Sequence, residues 1–395
     1  MTTGRTSAVI AGGGIGGLAT ALALARGGIA SHVCERRAVF PEEGAGIQIG
    51  PNGVRILRAL GVADLLQDRV ATPDALSVRD GPTGHELIRL PLGAWIEARH
   101  GAPYWTAHRR DLHTALRTRA KAEPLITMET GVEILKFQNF NHEIRALGAI
   151  GQVLTPSILI AADGLWSALR AQIACEGGAS PVFVGKAAFR TVVDAGRLPA
   201  SLTANAVHIW LAPGAHVVHY PVNAGRDIAL IVIIDDDESK DADWEAPASA
   251  VAVHEKIRDF AAPLQSLVAN AREWRYWPLY DMRPLTKWTN GRAALVGDAA
   301  HPVLPFLAQG AVMALEDAVA LAAHLSDSSR DIDASLRSYE NARRRRTNRV
   351  AVASRRNGDI YHMRGVAALA RNSAMKLAPP ETLMKRFDWL YGWRP

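Results

Sequence analysis

The chain has little cysteine and none of the common metal-binding patterns. Its 395 residues include two cysteines, which are too few for a disulfide framework and suit a reducing compartment. No HExxH sequence and no paired CxxC sequence is present, and we therefore expect no metal site. Internal repeats and low-complexity tracts are also lacking. These absences favour a globular cytoplasmic protein, and a chain of this length can bury a large core.

Charge is missing from one stretch near the start, Ala8–Ala25. A hydropathy scan could take it for a signal peptide or a membrane span. Its glycines argue against both, because a turn inside a bilayer would lack hydrogen-bond partners for its backbone. We expect this stretch to be part of a folded domain, with no membrane contact.

The same stretch predicts a strand, a glycine turn, a helix and a second strand. The strands are expected at Ser7–Ala11 and Ser31–Glu35, and the helix should end at about Arg26. Strand, turn and helix in this order make up the phosphate-binding unit of a dinucleotide fold. The helix N-terminus, with its unpaired N–H groups and positive dipole end, would face a pyrophosphate.

Three glycines within the turn have the spacing GxGxxG. Gly12 would allow the tight turn, Gly14 a close backbone approach to the pyrophosphate, and Gly17 close packing of helix on strand. Glu35 closes the second strand where a carboxylate can accept hydrogen bonds from a ribose. The glycine spacing alone is weak evidence, but with its flanking elements it indicates a nucleotide site.

The rest of the chain indicates an α/β fold, α+β overall, in which a Rossmann-like domain carries an inserted antiparallel sheet. We expect a β-meander over Ile126–Phe137 and Glu143–Ile150, an acidic surface loop after residue 234, and a long charged helix from Ser335 to about Arg356. The predicted nucleotide domain spans 1–75, 100–175 and 284–330. The predicted substrate-binding sheet domain spans 76–99 and 176–283, and a helical region spans 331–395.

The formal net charge of +6 raises the question of nucleic acid. Arg343–Arg346, Arg349, Arg355 and Arg356 form a basic run, but at helical spacing such a run is more often a solvated face. No nucleic-acid motif accompanies it. We therefore expect no nucleic-acid partner, and at most a weak attraction for anionic substrates or nucleotide phosphates.

Two later motifs follow predicted strands. In DGLWSALR, Ser167 and Arg170 fall on one face of a helical turn behind Asp163, although a capped strand–helix junction would look the same. In GDAAHPVLPFLAQG, Asp298 stands at a strand end, and a helix beginning near Gly310 would point its positive end into the crevice.

Together these pieces resemble the single-component FAD-dependent aromatic hydroxylases, the p-hydroxybenzoate and salicylate hydroxylase family. The matching segments, in the family's order, are the glycine turn with Glu35, GAGIQIGPN, HRRDL, DGLWSALR and GDAAHPVLPFLAQG…LEDA. YENARRRR followed by SRR also resembles the family's C-terminal helix. The match runs over most of the chain, from Ala8 to Asp317.

The resemblance implies FAD as cofactor, NADH or NADPH as electron donor, and transfer of one oxygen atom of O2 through a C4a-hydroperoxyflavin. The residues that it assigns to the cofactor are Gly12, Gly14, Ile15, Gly17, Glu35, Arg36, Gln48, Arg109 (with Arg110 as the alternative), Val132, Asp163, Arg170, Asp298, Pro305, Gly310 and Ala311. It also places His301 and Pro302 beside the flavin, as candidate catalytic residues.

Substrate contacts are expected from Gln48, Pro302 and the inserted sheet. His208 and Trp210 share one face of their strand, and Tyr220 lies on one face of the next; if these faces coincide, Tyr220 and His208 become catalytic hydrogen-bond partners of a phenol. The opposite register stays open. Arg190 could pair with a substrate carboxylate or form a structural ion pair.

We expect an FAD-dependent monooxygenase of a small hydroxylated aromatic or pyridine carboxylic acid, working as a monomer or homodimer. GAGIQIGPN and GDAAHPVLPFLAQG favour the salicylate, 3-hydroxybenzoate and 6-hydroxynicotinate hydroxylase branch. A nicotinamide dehydrogenase would leave the Asp298–Gly310 segment unexplained. Two alternatives stay open: a flavin monooxygenase of a larger polyketide or quinone precursor, and a non-catalytic FAD-binding protein.

Overall fold

A computed structural model describes residues 6–40, 45–140, 143–175, 180–236, 246–327 and 330–394. The strands, in chain order, are β1 (Ser7–Ala11), β2 (Ala30–Glu35), β3 (Gly46–Ile49), β4 (Ala75–Asp80), β5 (Glu86–Pro91), β6 (Trp105–His108), β7 (Ile126–Thr130), β8 (Ile134–Asn139), β9 (Ile144–Gly148), β10 (Val153–Leu154), β11 (Ile158–Ala161), β12 (Val182–Asp194), β13 (Ala206–Ala212), β14 (Ala215–Val222), β15 (Asp227–Asp235), β16 (Ala246–Ala248), β17 (Trp274–Asp281), β18 (Thr289–Asn290) and β19 (Ala293–Leu295). The α-helices are α1 (Ile15–Arg26), α2 (Pro51–Ala59), α3 (Gly93–His100), α4 (Arg109–Lys121), α5 (Arg170–Ala174), α6 (Ala250–Lys256), α7 (Ala262–Ala269), α8 (Gly310–Leu325), α9 (Ile332–Tyr361), α10 (Gly365–Leu377), α11 (Pro380–Lys385) and α12 (Asp388–Tyr391).

The first sheet has the order β18-β19-β11-β1-β2-β7 and is parallel except for the edge strand β18. Every residue of β11 is buried, as expected of a central parallel strand with both faces covered. Helices α1 and α8 pack against each other and against this sheet. The predicted strand, helix and second strand are confirmed, and β2 begins one residue earlier than expected.

The largest sheet has the order β16-β17-β12-β15-β14-β13-β4-β5 and is antiparallel except where β4 pairs with β13. It joins strands from 75–91 to strands from 182–281, two regions far apart in sequence. The α/β fold class with an inserted antiparallel sheet is confirmed. The predicted domain bounds stay a prediction.

The expected meander over residues 126–150 is wrong in one respect. Strand β7 joins the parallel sheet beside β2, and only β8, β9 and β10 form a small antiparallel sheet. The separation occurs at Gly131, whose φ of +75° ends β7 and turns the chain before β8. Hydrophobic spacing does not distinguish a strand in this meander from one in the parallel sheet.

The C-terminal helices pack on both sheets. Helix α9 is longer than expected. The predicted acidic loop lies mostly outside the described residues. Among the helices that the structure describes, none is long and apolar enough to cross a membrane.

Candidate active site

A cavity of about 410 Å³ opens between the two large sheets. The glycine turn, the ends of β11 and β19, and the segment from Val303 to Ala311 form one side. The opposite side is the inner face of the eight-stranded sheet, closed by side chains of the C-terminal helices. The polar side chains that line it are Gln48, Tyr104, Arg109, Arg190, His216, Tyr220, Asp298, Gln309, Asn357, Tyr361 and Tyr391.

The glycine turn leaves no room for side chains at two positions. A Cβ on Gly12 would lie 2.4 Å from the Ala162 carbonyl oxygen, and a Cβ on Gly17 would lie 1.9 Å from the Gly12 carbonyl oxygen. Gly12 also has a φ of +110°, which favours glycine. Nothing lies within 4 Å of a Cβ built on Gly14, whose backbone lines the cavity together with Ile15. The turn is therefore tightly packed on the protein side and open on the cavity side.

Glu35 stabilises this turn from the neighbouring strand. Its carboxylate accepts hydrogen bonds from the amides of Gly13 at 2.9 Å and Arg37 at 3.0 Å. His113, on α4, bonds through Nε2 to the Gly13 carbonyl oxygen at 2.8 Å, and burial lowers its pKa. The sequence analysis missed His113, although its position in HRRDLH, one turn after Arg109, was a usable signal.

The other residues expected near the adenosine end lie close to this strand. The Val132 amide donates to the Glu35 carbonyl oxygen at 2.9 Å, and the Val132 side chain is buried. Arg36 is half exposed, 3.9 Å from Glu133. Arg109 lines the cavity, whereas Arg110 is exposed beside Asp111.

Asp298 stands at the end of β19, with its carboxylate open to the cavity. Protein surrounds it on its other sides, and this desolvation raises the pKa of the carboxyl against the opposing charges of His301, Arg109 and Arg170. A carboxylate held in this way gains from hydroxyl donors that reach it from the cavity. Pro305, Gly310 and Ala311 line the same side, where α8 begins.

Arg170 lies behind the cavity wall. Its guanidinium donates to the carbonyl oxygens of Ala299 at 2.7 Å, Asp298 at 2.9 Å and Gly164 at 3.1 Å. Asp163 accepts a hydrogen bond from the Leu169 amide at 3.3 Å, and burial raises its pKa. Neither side chain lines the cavity. Both side chains instead hold the segments that follow β11 and β19 in place.

Neither His301 nor Pro302 lines the cavity, and their placement beside the flavin stays a prediction. His301 Nε2 lies 2.5 Å from Asp317 Oδ2, and its ring packs 5.0 Å from Trp288. A deeply buried carboxylate attracts an imidazole more strongly than an open cavity does. His301 is therefore a positioning residue for the loop that follows Asp298.

The basic run of α9 is only partly a solvated face, because Arg345, Arg349 and Arg356 are exposed whereas Arg343 is buried. Arg343 is 1% exposed and donates to Asp317 at 2.7 Å, and Arg346 donates to both oxygens of Glu316 at 2.6 and 2.7 Å. The acidic partners belong to LEDA on α8. Asn52 of GAGIQIGPN also donates to Glu316, at 2.8 Å. Two of the resembling motifs thus meet the basic run in one buried network.

The expected substrate face is wrong for two of its members. Strand pairing sets His208 opposite His219, and the two rings stack 4.5 Å apart on the face turned away from the cavity, with Trp210 beside them. The cavity face instead carries Ile209, Val218 and Tyr220. A shift of one residue in register exchanges the two faces of a strand, and the sequence did not determine that register.

Gln48 and Tyr220 both line the cavity, and their contact with substrate stays a prediction. Gln48 Oε1 accepts a hydrogen bond from the Tyr104 hydroxyl at 2.8 Å. Burial raises the pKa of Tyr220, against hydrogen bonding from Gln48 and the charge of Arg190. Arg190 lines the cavity, with its guanidinium 4.8 Å from the centre of the Trp277 ring.

His216 is one of the cavity residues that the sequence did not single out. It is 1% exposed on β14, on the same face as Val218 and Tyr220, and its Nδ1 lies 2.8 Å from His362 Nε2. Burial holds the pKa of His216 well below its ordinary value, with a further lowering from His362. The alternation that exposes Tyr220 to the cavity also predicts this position, four residues earlier.

The chain matches the family model described as "FAD binding domain" over residues 5–354. It is 36% identical to 3-hydroxybenzoate 6-hydroxylase 1 of Aquipseudomonas alcaligenes over 385 residues, 97% of each chain. It is 33% identical to 6-hydroxynicotinate 3-monooxygenase of Bordetella bronchiseptica over 361 residues, 90% of this chain and 92% of that protein. A salicylate hydroxylase substrate complex matches its fold with a TM-score of 0.85 at 24% identity, over 100% of this chain and 97% of that one.

Proposed function

We propose that this chain, which belongs to the FAD-binding family of aromatic monooxygenases, hydroxylates a small aromatic or pyridine carboxylic acid. The acid carries a ring hydroxyl. The observation that carries the proposal is that Arg190 and His216 both face the cavity from the eight-stranded sheet. One supplies a cation for a carboxylate, and the other a neutral imidazole for a hydroxyl. NADH or NADPH is the electron donor and O2 the oxygen source.

The cofactor is FAD, and the geometry of the glycine turn and of Asp298 fits it. We assign Gly12, Gly14, Ile15 and Gly17 to the pyrophosphate and Glu35 to the adenosine ribose. Asp298 would accept hydrogen bonds from the ribityl hydroxyls. The amides of Gly310 and Ala311, at the positive end of α8, would face the flavin ring. When bound and reduced, FAD activates O2 for transfer to the ring carbon.

The sheet register sets the distance between the two polar anchors. Arg190 pairs with Ile231, which pairs with Val218, and His216 lies two residues before Val218. By ordinary sheet spacing the two Cα atoms are about 12 Å apart. Their side chains point to the same face, so the space between the guanidinium and the imidazole suits one aromatic ring with a carboxylate and a hydroxyl at its ends.

His216 is arranged to accept the hydroxyl proton. Nδ1 faces His362, which leaves Nε2 for the cavity. A lowered pKa favours the neutral imidazole, whose Nε2 lone pair can accept a hydrogen bond from the ring hydroxyl and pass its proton on. Removing the proton from the ring hydroxyl raises the electron density of the ring carbon that is attacked.

The remaining cavity wall keeps water away from the reacting atoms. Ile209, Val218, Ile231 and Phe306 supply apolar surface. Tyr104 and Tyr220 keep their protons, since burial raises both pKa values, and they can donate hydrogen bonds without becoming bases themselves. A water-excluding cavity favours transfer of oxygen to the ring over its wasteful loss.

The test is NAD(P)H oxidation by the FAD-loaded protein over a panel of hydroxybenzoates and hydroxypyridine carboxylates, with the product mass followed in parallel. We expect one acid to stimulate oxidation and to gain sixteen mass units, or to gain oxygen and lose CO2. The matching amide serves as the control for the carboxylate. If no acid is hydroxylated although FAD is bound, the proposal is wrong and a bulkier substrate becomes the next hypothesis.

We also propose that the enzyme works in the cytoplasm as a monomer or homodimer. The two cysteines, Cys34 and Cys175, are both free thiols, which suits a reducing compartment. Light scattering on a size-exclusion column measures the mass of the holoenzyme, and a tetramer would contradict the proposal.

A further inference from the structure

We propose that His216, His362 and Asp235 form a proton relay, which carries the proton of the substrate hydroxyl from the cavity to the protein surface. The inference rests on the proposed function, because it needs a substrate that gives up a proton. It assigns a task to His362 and Asp235, neither of which lines the cavity.

The three side chains form a continuous line of short contacts. His216 Nδ1 lies 2.8 Å from His362 Nε2, and His362 Nδ1 lies 2.7 Å from Asp235 Oδ1. They come from three separate elements: β14, the residue after α9, and the end of β15. The Gly214 amide donates to the His362 carbonyl oxygen, and the Asp235 amide donates to the Gly214 carbonyl oxygen, so the backbone fixes the line as well.

The accessibility of the three groups rises along the line. His216 is 1% exposed, His362 is 7% exposed, and the Asp235 side chain is 33% exposed. The first imidazole therefore meets the cavity and the final carboxylate meets solvent. A proton leaving the buried cavity has a path of two hydrogen bonds to water.

The carboxylate at the outer end determines the direction of the hydrogen bonds. An ionised carboxylate only accepts, so His362 Nδ1 must carry the proton and His362 Nε2 must accept. His216 Nδ1 is then the donor to His362, and His216 Nε2 is free to accept from the cavity. This arrangement is the one that a relay running outward from the substrate requires.

Other charged groups hold this arrangement in place. Burial alone would raise the pKa of Asp235, but hydrogen bonds from Lys186, His362 and Arg364 outweigh it and lower that pKa to about 2. Lys186 Nζ contacts Asp235 Oδ1 at 2.5 Å and His362 Nδ1 at 3.1 Å, and Arg364 contacts Asp235 Oδ2 at 2.8 Å. Burial also lowers the pKa of His362.

The transfer balances without any further reagent. The hydroxyl O–H bond breaks and a bond from the proton to His216 Nε2 forms. The Nδ1 proton of His216 moves to His362 Nε2, and the Nδ1 proton of His362 leaves through Asp235 to water. Lys186 can then donate to the vacated Nδ1 of His362, which stabilises it until a proton returns.

A purely structural task for His362 is the competing explanation. Its ring packs against His216 and Phe306, with ring centres 5.0 and 6.4 Å apart. Substitution with Gln separates the two explanations, because the amide can keep both hydrogen bonds and cannot pass a proton along. A structural task would survive this change, whereas a relay would not.

The experiment follows proton release when substrate binds to the oxidised FAD holoenzyme in the absence of NAD(P)H. The probe is the acid of the panel that wild type hydroxylates, beginning with 3-hydroxybenzoate. A pH-indicator dye reports the released proton in a stopped-flow instrument, and ultraviolet absorbance reports ionisation of the ring hydroxyl. His362→Gln and Asp235→Asn are the test variants. His254→Gln is the matched control, since it makes the same substitution at an exposed histidine of α6, outside the relay.

We expect wild type and His254→Gln to release about one proton per site at similar rates. His362→Gln should slow the release at least tenfold, with substrate affinity within threefold of wild type, and imidazole in the buffer should restore part of the rate. Asp235→Asn should slow it as well, and the pH profile of release should shift in both variants. Equal release rates in His362→Gln and wild type would overturn the relay, and so would hydroxylation by wild type without proton release. If wild type hydroxylates no acid of the panel, the proposed function itself fails.

Discussion

Arg343 and Asp317 form a buried ion pair that joins α9 to α8 behind the cavity. Arg343 Nε lies 2.7 Å from Asp317 Oδ1, and the two side chains are 1% and 0% exposed. The other carboxylate oxygen accepts from the Gly297 amide at 2.9 Å, next to Asp298. The pair therefore holds the strand end that presents Asp298 to the cavity.

Removing one member of this pair should be costly. Arg343→Met leaves the Asp317 carboxylate without its guanidinium, and breaking a buried pair in this way costs about 3–5 kcal/mol. Urea unfolding of the apoprotein measures the change in the free energy of unfolding. Arg345→Met is the control, because Arg345 is exposed in the same basic run. Equal stability of the two variants would show that the ion pair contributes nothing.

The same carboxylate should give the fold an acid limit. Burial would raise the pKa of Asp317, but the charges of His301 and Arg343 lower it to about 2. A folded pKa below the unfolded value of about 3.9 stabilises the fold above that value, and this stability is lost as the pH falls toward 2. We expect the unfolding free energy to decline from about pH 5 to pH 2. Asp317→Asn should be less stable at pH 7 and show a shallower decline, and equal slopes in both proteins would contradict this.

Much of this fold could be predicted because local pattern and tertiary structure agree in the parallel sheet. Ser7–Ala11 and the helix behind it are mostly apolar and buried, and the glycines between them favour a tight turn. The motif around Asp298 was recognisable because it lies between a predicted strand, β19, and a predicted helix, α8.

The substrate side could be predicted less well. The period of two placed His208 and Trp210 on one face, but which face met the cavity depended on pairing with β14, which no local pattern determines. The burial of the basic run could not be predicted either, because the spacing of arginines along a helix does not show which of them contacts the buried acidic residues of another helix. Arg343 and Arg345 differ only in that tertiary contact.

Two glycines of the same motif should respond differently to alanine. Gly17→Ala places a methyl group against the Gly12 carbonyl oxygen, so we expect a loss of about 1–3 kcal/mol in apoprotein stability. Gly14→Ala meets no protein atom within 4 Å, and apoprotein stability should stay within about 1 kcal/mol of wild type. FAD affinity should fall at least about tenfold in both. Full FAD affinity in Gly14→Ala would mean that the cofactor does not approach this glycine.

Asp298→Ala should weaken FAD binding without weakening the apoprotein. Asp298 is exposed to the cavity, so its removal should change apoprotein stability by no more than about 0.5 kcal/mol, whereas each lost hydrogen bond from a hydroxyl to the charge costs about 1.5–3 kcal/mol. We expect the dissociation constant for FAD to rise about 10- to 100-fold, as measured by quenching of flavin fluorescence. Asp298→Asn keeps an acceptor and should lose less. If Asp298→Ala purified with full flavin, the assignment of this strand end would be wrong.

The last prediction concerns selection of the substrate by charge. The Arg190 guanidinium lies over the Trp277 ring at the cavity wall, 4.8 Å from the ring centre. Arg190→Gln should raise the dissociation constant of the acid substrate about 10- to 150-fold, because a hydrogen bond to a charged group contributes about 1.5–3 kcal/mol. Arg190→Lys keeps the charge but loses the planar guanidinium over Trp277. Its dissociation constant for the acid should lie between those of wild type and Arg190→Gln. Titration of the flavin absorbance with the acid and with its neutral amide separates charge recognition from shape: the acid should lose affinity in Arg190→Gln and the amide should not. Equal losses for both compounds would show that Arg190 shapes the cavity without reading the carboxylate, and the carboxylate would then need another partner.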